Sequence, residues 1–340
     1  MRRVWVTTIV VAVLGLVFGA LFRYLHDPVE ETNVANYLRS SLHGAGLTLS
    51  GWATHLYFIS RSTGWVRLWP LVVELIIRSL AMAVVVATVA AALEVILYGH
   101  RVGRAWLVQD YPIIVGLTFA GSMFFGAIYE LVRLVGGQVL VNVMLGRYRR
   151  PTREERVLLF LDLVGSTTLA EQLGELRVQE LLTRFFYDID AAIVAHGGEV
   201  HAYVGDEVIV TWPVAKGFER RPVDCVFAIQ DRLAELADRY AREFGLVPNF
   251  RAGLHAGPVV ISECGESRPQ VAFFGDTMNV TARLQERCKE AGRNLLVSGE
   301  LLRLMNPAAN PAKDLAVEAL GPTQLRGRNA EVEVFAVARG

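Results

Sequence analysis

The chain has 340 residues, 53% of them hydrophobic, and a mean hydropathy of +0.35; that is too apolar for a wholly water-soluble protein and enough for about two domains. Lys and Arg number 34 against 34 Asp and Glu, a formal charge of zero, so no positive excess is available to hold a polyanion and nucleic acid is not expected as a partner. The three cysteines, Cys225, Cys264 and Cys288, lie far apart without C-x-x-C spacing, which argues against a disulfide framework or a cysteine zinc site and fits free thiols in a reducing compartment.

Residues 4–22, 79–93 and 111–129 carry no charge, and each is, or lies within, a stretch long enough to cross a bilayer as a helix. The basic start Met1-Arg2-Arg3 followed by an apolar run resembles a signal peptide. Residues 17–23 continue apolar past any small-residue cleavage site, however, so a retained anchor is expected. Residues 40–60 are uncharged but carry Ser, Thr, Gly and His, and read as a weak span or an interfacial segment. If Arg2, Arg3 and the C-terminal half all stay in the cytoplasm, the number of spans is even, which favours four over three. The expectation over residues 1–146 is therefore an α-helical transmembrane bundle, multi-pass in the cell (inner) membrane, with the lipid bilayer as its partner. Glu74 and Arg78 are four apart and Glu130 and Arg133 three apart, spacings that place each pair on one helix face where the charges can neutralise each other. Glu94 has no Lys or Arg at 90 or 98 and is the lone acidic candidate for a sensing role.

The composition changes at Arg147-Tyr148-Arg149-Arg150-Pro151, where Pro151 stops any emerging helix. Residues 147–153 read as a linker and 154–340 as a cytoplasmic α+β domain. Residues 157–161 are a continuous apolar run of strand length ending in Asp162, and 168–195 repeat apolar positions at helical spacing up to His196-Gly197-Gly198. Residues 199–204 and 208–212 read as a hairpin with Gly205-Asp206-Glu207 at its tip. Helices are expected over 222–244 and 277–292. Strands are expected over 250–255 and 259–261, around a Gly257-Pro258 turn, and again over 295–297 and 332–337.

Asp162 and Asp206 each end or interrupt an apolar strand where packing alone would want no charge. If those strands are neighbours, the two carboxylates converge, an arrangement suited to Mg²⁺ or Mn²⁺ bound to phosphates. Leu163-Val164-Gly165-Ser166-Thr167 then leads into a helix, so backbone N–H groups and a positive helix end point where a triphosphate would lie.

Three blocks, Phe160-Leu161-Asp162-Leu163-Val164-Gly165-Ser166-Thr167, Tyr203-Val204-Gly205-Asp206-Glu207 and Phe274-Gly275-Asp276-Thr277-Met278-Asn279-Val280-Thr281-Ala282-Arg283-Leu284, occur in that order. In this ordered set the segment 154–337 resembles the class III nucleotide cyclases, the adenylate and guanylate cyclases. The resemblance implies a ferredoxin-like, palm-type catalytic domain working as a homodimer. It implies that Asp162 and Asp206 bridge two metal ions per site, assisted by the carbonyl of Leu163. It also implies that Asn279 orients the ribose and that Arg283 steadies charge on the transferring phosphorus. Asn279 and Arg283 are four apart on an expected helix and so share a face.

The sequence departs from the family where the purine is usually read. Three residues before Gly205 stands Ala202, where adenylate cyclases commonly carry Lys, and three before Gly275 stands Ala272, where they carry Asp or Thr. The Glu and Cys of guanylate cyclases are absent too. ATP is the favoured substrate because adenylate cyclases are common in the family. Gln270, Arg268 or His201 could reach the base, and Arg326 or Arg328 could contact phosphate. The alternatives are a cyclase using GTP and a non-catalytic nucleotide-binding signalling module with the same fold. A diguanylate cyclase is disfavoured because Val204 and Val208 flank the Gly-Asp-Glu turn.

Overall fold

The computed structural model describes residues 2–26, 33–61, 70–99, 104–135, 146–214, 218, 220–266, 270–305, 315–324 and 331–340. The chain divides into two compact units, Met1–Leu140 and Val141–Gly340.

Among the described residues the first unit has four helices, α1 (Arg2–His26), α2 (Val34–Arg61), α3 (Leu71–Tyr98) and α4 (Arg104–Val135). Three segments among the described residues are long and apolar enough to cross a membrane: Trp5–Leu25, Leu71–Leu97 and Tyr111–Val132. The segment 40–60 lies inside α2, which matches the others in length at 28 residues but is more polar. Glycines let α1 and α2 approach closely, since a Cβ built on Gly44 would lie 2.3 Å from the carbonyl oxygen of Gly15. Arg78 of α3 reaches across to Glu130 of α4 at 3.4 Å, and both are buried. This interhelical pair takes the place of the Glu74–Arg78 pair expected from spacing, because a buried charge gains more from a partner that packing also desolvates. The side chain of Arg133 lies outside the described residues. Glu94 lies 3.7 Å from His43 of α2, a partner that spacing on its own helix could not reveal.

The second unit is an α+β domain on an eight-stranded mixed sheet. Its elements, in chain order, are β1 (Thr152–Leu163), α5 (Ser166–Leu173), α6 (Glu175–Ala195), β2 (Glu199–Val204), β3 (Glu207–Pro213), α7 (Arg221–Glu235) and α8 (Ala237–Phe244). There follow β4 (Phe250–Cys264), β5 (Gln270–Phe274), α9 (Asp276–Ala291), β6 (Leu295–Ser298), α10 (Gly299–Met305), β7 (Leu315–Thr323) and β8 (Val332–Arg339). The strand order is β2-β3-β1-β4-β6-β8-β7, with β5 also on β4. All neighbours are antiparallel except β4 and β6.

Central β1 is apolar at consecutive positions because both of its faces are covered. Val157, Leu159, Leu161 and Leu163 join the main core with Phe185 and Ile189 of α6 and Val226 of α7. Leu158 turns to the opposite face and packs with Tyr148, Val259 and Ile261. Alternation therefore puts Asp162 on the face opposite the main core, the one that α9 covers.

Four expected elements take a different form. The helix over 168–195 is broken at Gly174, whose positive φ of 82° ends α5, and the helix over 222–244 is broken at Leu236. The two short strands around Gly257-Pro258 are one fifteen-residue strand, β4. There is no turn there, because Gly257 is the place where α9 docks. A Cβ at Gly257 would lie 2.8 Å from the Thr277 hydroxyl, and that hydroxyl donates a hydrogen bond to the Pro258 carbonyl at 2.6 Å.

Candidate functional site

Two carboxylates are brought together at one end of the sheet. β1 pairs with β3 in a register that sets Asp162 opposite Glu207. β2 and β3 are joined by the two residues Gly205 and Asp206, with Gly205 at φ 63°, as such a tight hairpin requires. The turn folds back onto β1, where the Leu163 N–H donates to the Asp206 carbonyl at 3.4 Å. The Asp206 side chain then lies within hydrogen-bond reach of Asp162.

Burial first, then the hydrogen bond and charge of Asp206, raise the Asp162 carboxyl to about 7 against the opposing pull of Gln285 and Arg251. Burial followed by the charges of Asp162, Asp206 and Glu286 raises Glu207 to about 7 as well. Crowded acids of this kind, short of positive charge, provide the hard oxygen donors that a divalent cation takes. Among the described residues no three His, Cys, Asp or Glu side chains gather closely enough to hold a metal alone. Asp162 and Asp206 thus fit Mg²⁺ or Mn²⁺ as partial ligands, with the Leu163 carbonyl, water and substrate phosphates completing the shell.

Directly after the pair, the Val164 N–H donates to the Asn249 carbonyl at 2.9 Å, fixing the chain's exit from β1. Gly165 follows at φ 77° and α5 starts at Ser166. Leu163, Val164, Gly165, Ser166 and Thr167 form the turn that leads from β1 into the first N–H groups of α5, the kind of place that suits a phosphate.

Asn279 and Arg283 stand on α9, and within the chain neither side chain makes a hydrogen bond or ion pair with Asp162 or Asp206. The sheet-facing side of α9 is made by Thr277, Val280, Thr281, Leu284, Gln285 and Cys288. Asn279 is exposed, and Arg283 is partly exposed and paired with Glu286 at 2.6 Å. The side chain of α9 that does reach the pair is Gln285, whose Nε2 donates to Asp162 Oδ2 at 3.2 Å from a buried position. Sequence reasoning missed Gln285 and Glu207. The available signals were a Gln on the apolar face of a helix and a second acid directly beside Asp206.

Near the expected base position, Ala202 is on β2 and Ala272 on β5. His201 is half-buried and stacked on Phe273 with ring centroids 4.1 Å apart, and burial, with the charge of Arg156, lowers its pKa. Gln270 opens β5 at an exposed position. Arg268, Arg326 and Arg328 lie outside the described residues.

Comparison with known proteins bears on the same segment. Residues 150–338 match the family model described as the adenylate and guanylate cyclase catalytic domain. Adenylate cyclase 2 of Rhizobium meliloti (strain 1021) is 36% identical over 229 residues, covering 67% of this chain and 61% of that protein. Retinal guanylyl cyclase 1 of Homo sapiens is 29% identical over 191 residues, covering 55% of this chain and 17% of that protein. The chain thus spans less than two thirds of the length of these relatives. Among solved structures, a bacterial light-regulated adenylyl cyclase superposes with a TM-score of 0.54 at 22% identity, covering 66% of this chain and 64% of the other. That likeness is one of fold.

Proposed function

Since the chain belongs to the adenylate and guanylate cyclase catalytic-domain family over residues 150–338, we propose that it converts ATP to 3′,5′-cyclic AMP and pyrophosphate. In this reading residues 1–146 anchor the chain as a multi-pass protein of the cell membrane, and residues 154–340 form a cytoplasmic catalytic unit that works as a homodimer. The observation that carries the reading is the meeting of Asp162 and Asp206 beside the start of α5, with Asn279 and Arg283 on the outward side of α9.

When bound, two Mg²⁺ or Mn²⁺ ions at Asp162 and Asp206 supply a lowered pKa for the ribose 3′-hydroxyl and neutralise charge on the triphosphate. Gln285 holds one oxygen of Asp162 and so orients the carboxylate for ligation. The N–H groups of Ser166 and Thr167, with the positive end of α5, hold phosphate oxygens in line for attack. Arg283 brings delocalised positive charge to the α-phosphorus as negative charge grows there, and Asn279 orients the ribose by its hydroxyl and ring oxygen.

Because Asn279 and Arg283 face outward from α9, they serve a substrate held by the carboxylates of a second chain. A two-fold dimer of identical chains then contains two equivalent sites. ATP is favoured by the 36% identity to an adenylate cyclase. Ala202 and Ala272 place no polar group at the purine edge, so discrimination against GTP is modest. The test is the kcat/KM of the purified chain for ATP and for GTP. A ratio below about a thousand is expected, because strong rejection requires a buried polar group that the wrong substrate leaves unpaired. No cyclic product from either triphosphate would overturn the reading.

A further inference from the structure

The helices of the first unit line an open cavity of about 690 Å³, to which α1, α2, α3 and α4 all contribute, a volume in the range of small-molecule sites. Glycine keeps it open. A Cβ built on Gly121 meets nothing within 4 Å, and one built on Gly51 meets only Met82 and Val86, at 3.4 and 3.9 Å. Gly126 has a different use, because a Cβ there would lie 2.8 Å from Nη2 of Arg78. Its absence lets the guanidinium lie against α4 and donate to Glu130.

The walls are apolar at Val11, Met82, Val86 and Phe125, and polar where His55, Arg78 and Tyr129 meet. The His55 and Tyr129 rings contact edge to face with centroids 5.5 Å apart, and the Trp52 and His55 ring centroids are also 5.5 Å apart. Two further polar groups are already engaged: the Trp52 indole donates to Thr8, and the Thr48 hydroxyl to backbone carbonyls. Among the described residues, the side chains of His55, Ser122 and Tyr129 make no hydrogen bond within the chain.

These facts restrict the occupant. The Arg78 charge is matched by Glu130, so the lining offers no net charge to an ion, and an anion would have to compete with a buried carboxylate. The hydroxyls of Thr118, Ser122 and Tyr129 and the His55 ring can each donate a proton, which a neutral occupant bearing an acceptor oxygen can use. We propose that this cavity binds an uncharged, single-chain, lipid-soluble molecule. Its carbonyl oxygen accepts from His55 or Tyr129, and its aliphatic part lies along Val11, Met82 and Val86. The proposal stands independently of the catalytic reading.

The test uses the full chain in lipid nanodiscs and a photoreactive, diazirine-bearing methyl ester of a twelve-carbon acid, with labelled peptides mapped by mass spectrometry. Saturable labelling of α2 and α4 is expected. Unlabelled methyl dodecanoate should compete at least about fivefold better than dodecane or the dodecanoate ion, the advantage of one net hydrogen bond. Gly121→Leu fills open space and should abolish labelling while helix content is unchanged. If that variant does not fold, the double variant His55→Phe and Tyr129→Phe, close in shape, should remove the advantage of the ester over dodecane, and its persistence would overturn the proposal. Equal competition by dodecane would mean that the cavity only solvates acyl chains, and preference for the dodecanoate ion would mean that Arg78 binds anions. Either result, or undiminished labelling of a folded Gly121→Leu chain, overturns the proposal.

Discussion

Mixing two inactive variants tests how the halves of the site are assembled. Asp162→Ala removes a carboxylate at the end of β1, and Arg283→Ala removes a cation from the outward side of α9. Loss of a metal-bridging carboxylate should cost several kcal/mol of transition-state stabilisation, about a thousandfold in rate. Neither change touches the other half, because the side of α9 that meets the sheet is made by other residues, Gln285 among them. When equal amounts of the two chains pair at random, about half of the dimers are mixed, and each mixed dimer holds one intact and one doubly damaged site. Cyclic nucleotide formation should therefore recover to about a quarter of the wild-type rate on site counting. The assay follows cyclic nucleotide after coexpression of the chains with different affinity tags, and double pull-down verifies pairing. If doubly purified mixed dimers are as inactive as their components, the site is not shared between chains and the reasoning from the two sides of α9 fails.

Gln285→Leu keeps the volume and removes the donor to Asp162. A hydrogen bond to a carboxylate is worth about 1.5–3 kcal/mol, so kcat/KM should fall by about ten- to a hundredfold, and wild-type activity in this variant would deny Gln285 its positioning role. Gly257→Ala forces a methyl group against Thr277 at 2.8 Å; it should destabilise the unit by about 1–3 kcal/mol, read as a lower melting temperature, and an unchanged midpoint would refute the docking of α9 at that glycine. Asp162 and Glu207 keep their protons up to about 7 in the fold, against about 4 in an unfolded chain. The native state thus binds more protons between these values, so the associated stability is fully present below about pH 4 and lost as pH rises through about 7. In chelator the melting temperature should fall between about pH 5 and 8, and Asp162→Asn should flatten part of that fall; a slope of the opposite sign would contradict the crowding of these acids.

The parts of the molecule that were legible in the sequence are those set by local pattern. Asp162 after an apolar run and Asp206 in a Gly turn marked the pair, and register then brought them together, since Asp162 stands opposite Glu207. The alternation of β1 was masked by burial on both faces, so the sequence did not tell which face Asp162 takes. Gly257-Pro258 looked like a turn because both residues favour turns, whereas the real demand there is the close approach of Thr277, a contact nineteen positions away. Gln285 was invisible for the same reason: its value lies in a carboxylate 123 residues distant. Charge spacing paired Arg78 with Glu74, but helix packing pairs it with Glu130. Non-local packing decides each of these cases.

The most direct test of the proposed chemistry is the product ratio of the purified full chain given ATP with Mg²⁺ or Mn²⁺, beside a folded Asp162→Asn chain. Cyclic AMP and pyrophosphate should appear in equal amounts with the wild type, and the rate should fall by about a thousandfold or more in the variant. ADP and phosphate in their place, no product with either metal, or comparable turnover by Asp162→Asn would contradict cyclisation at this site.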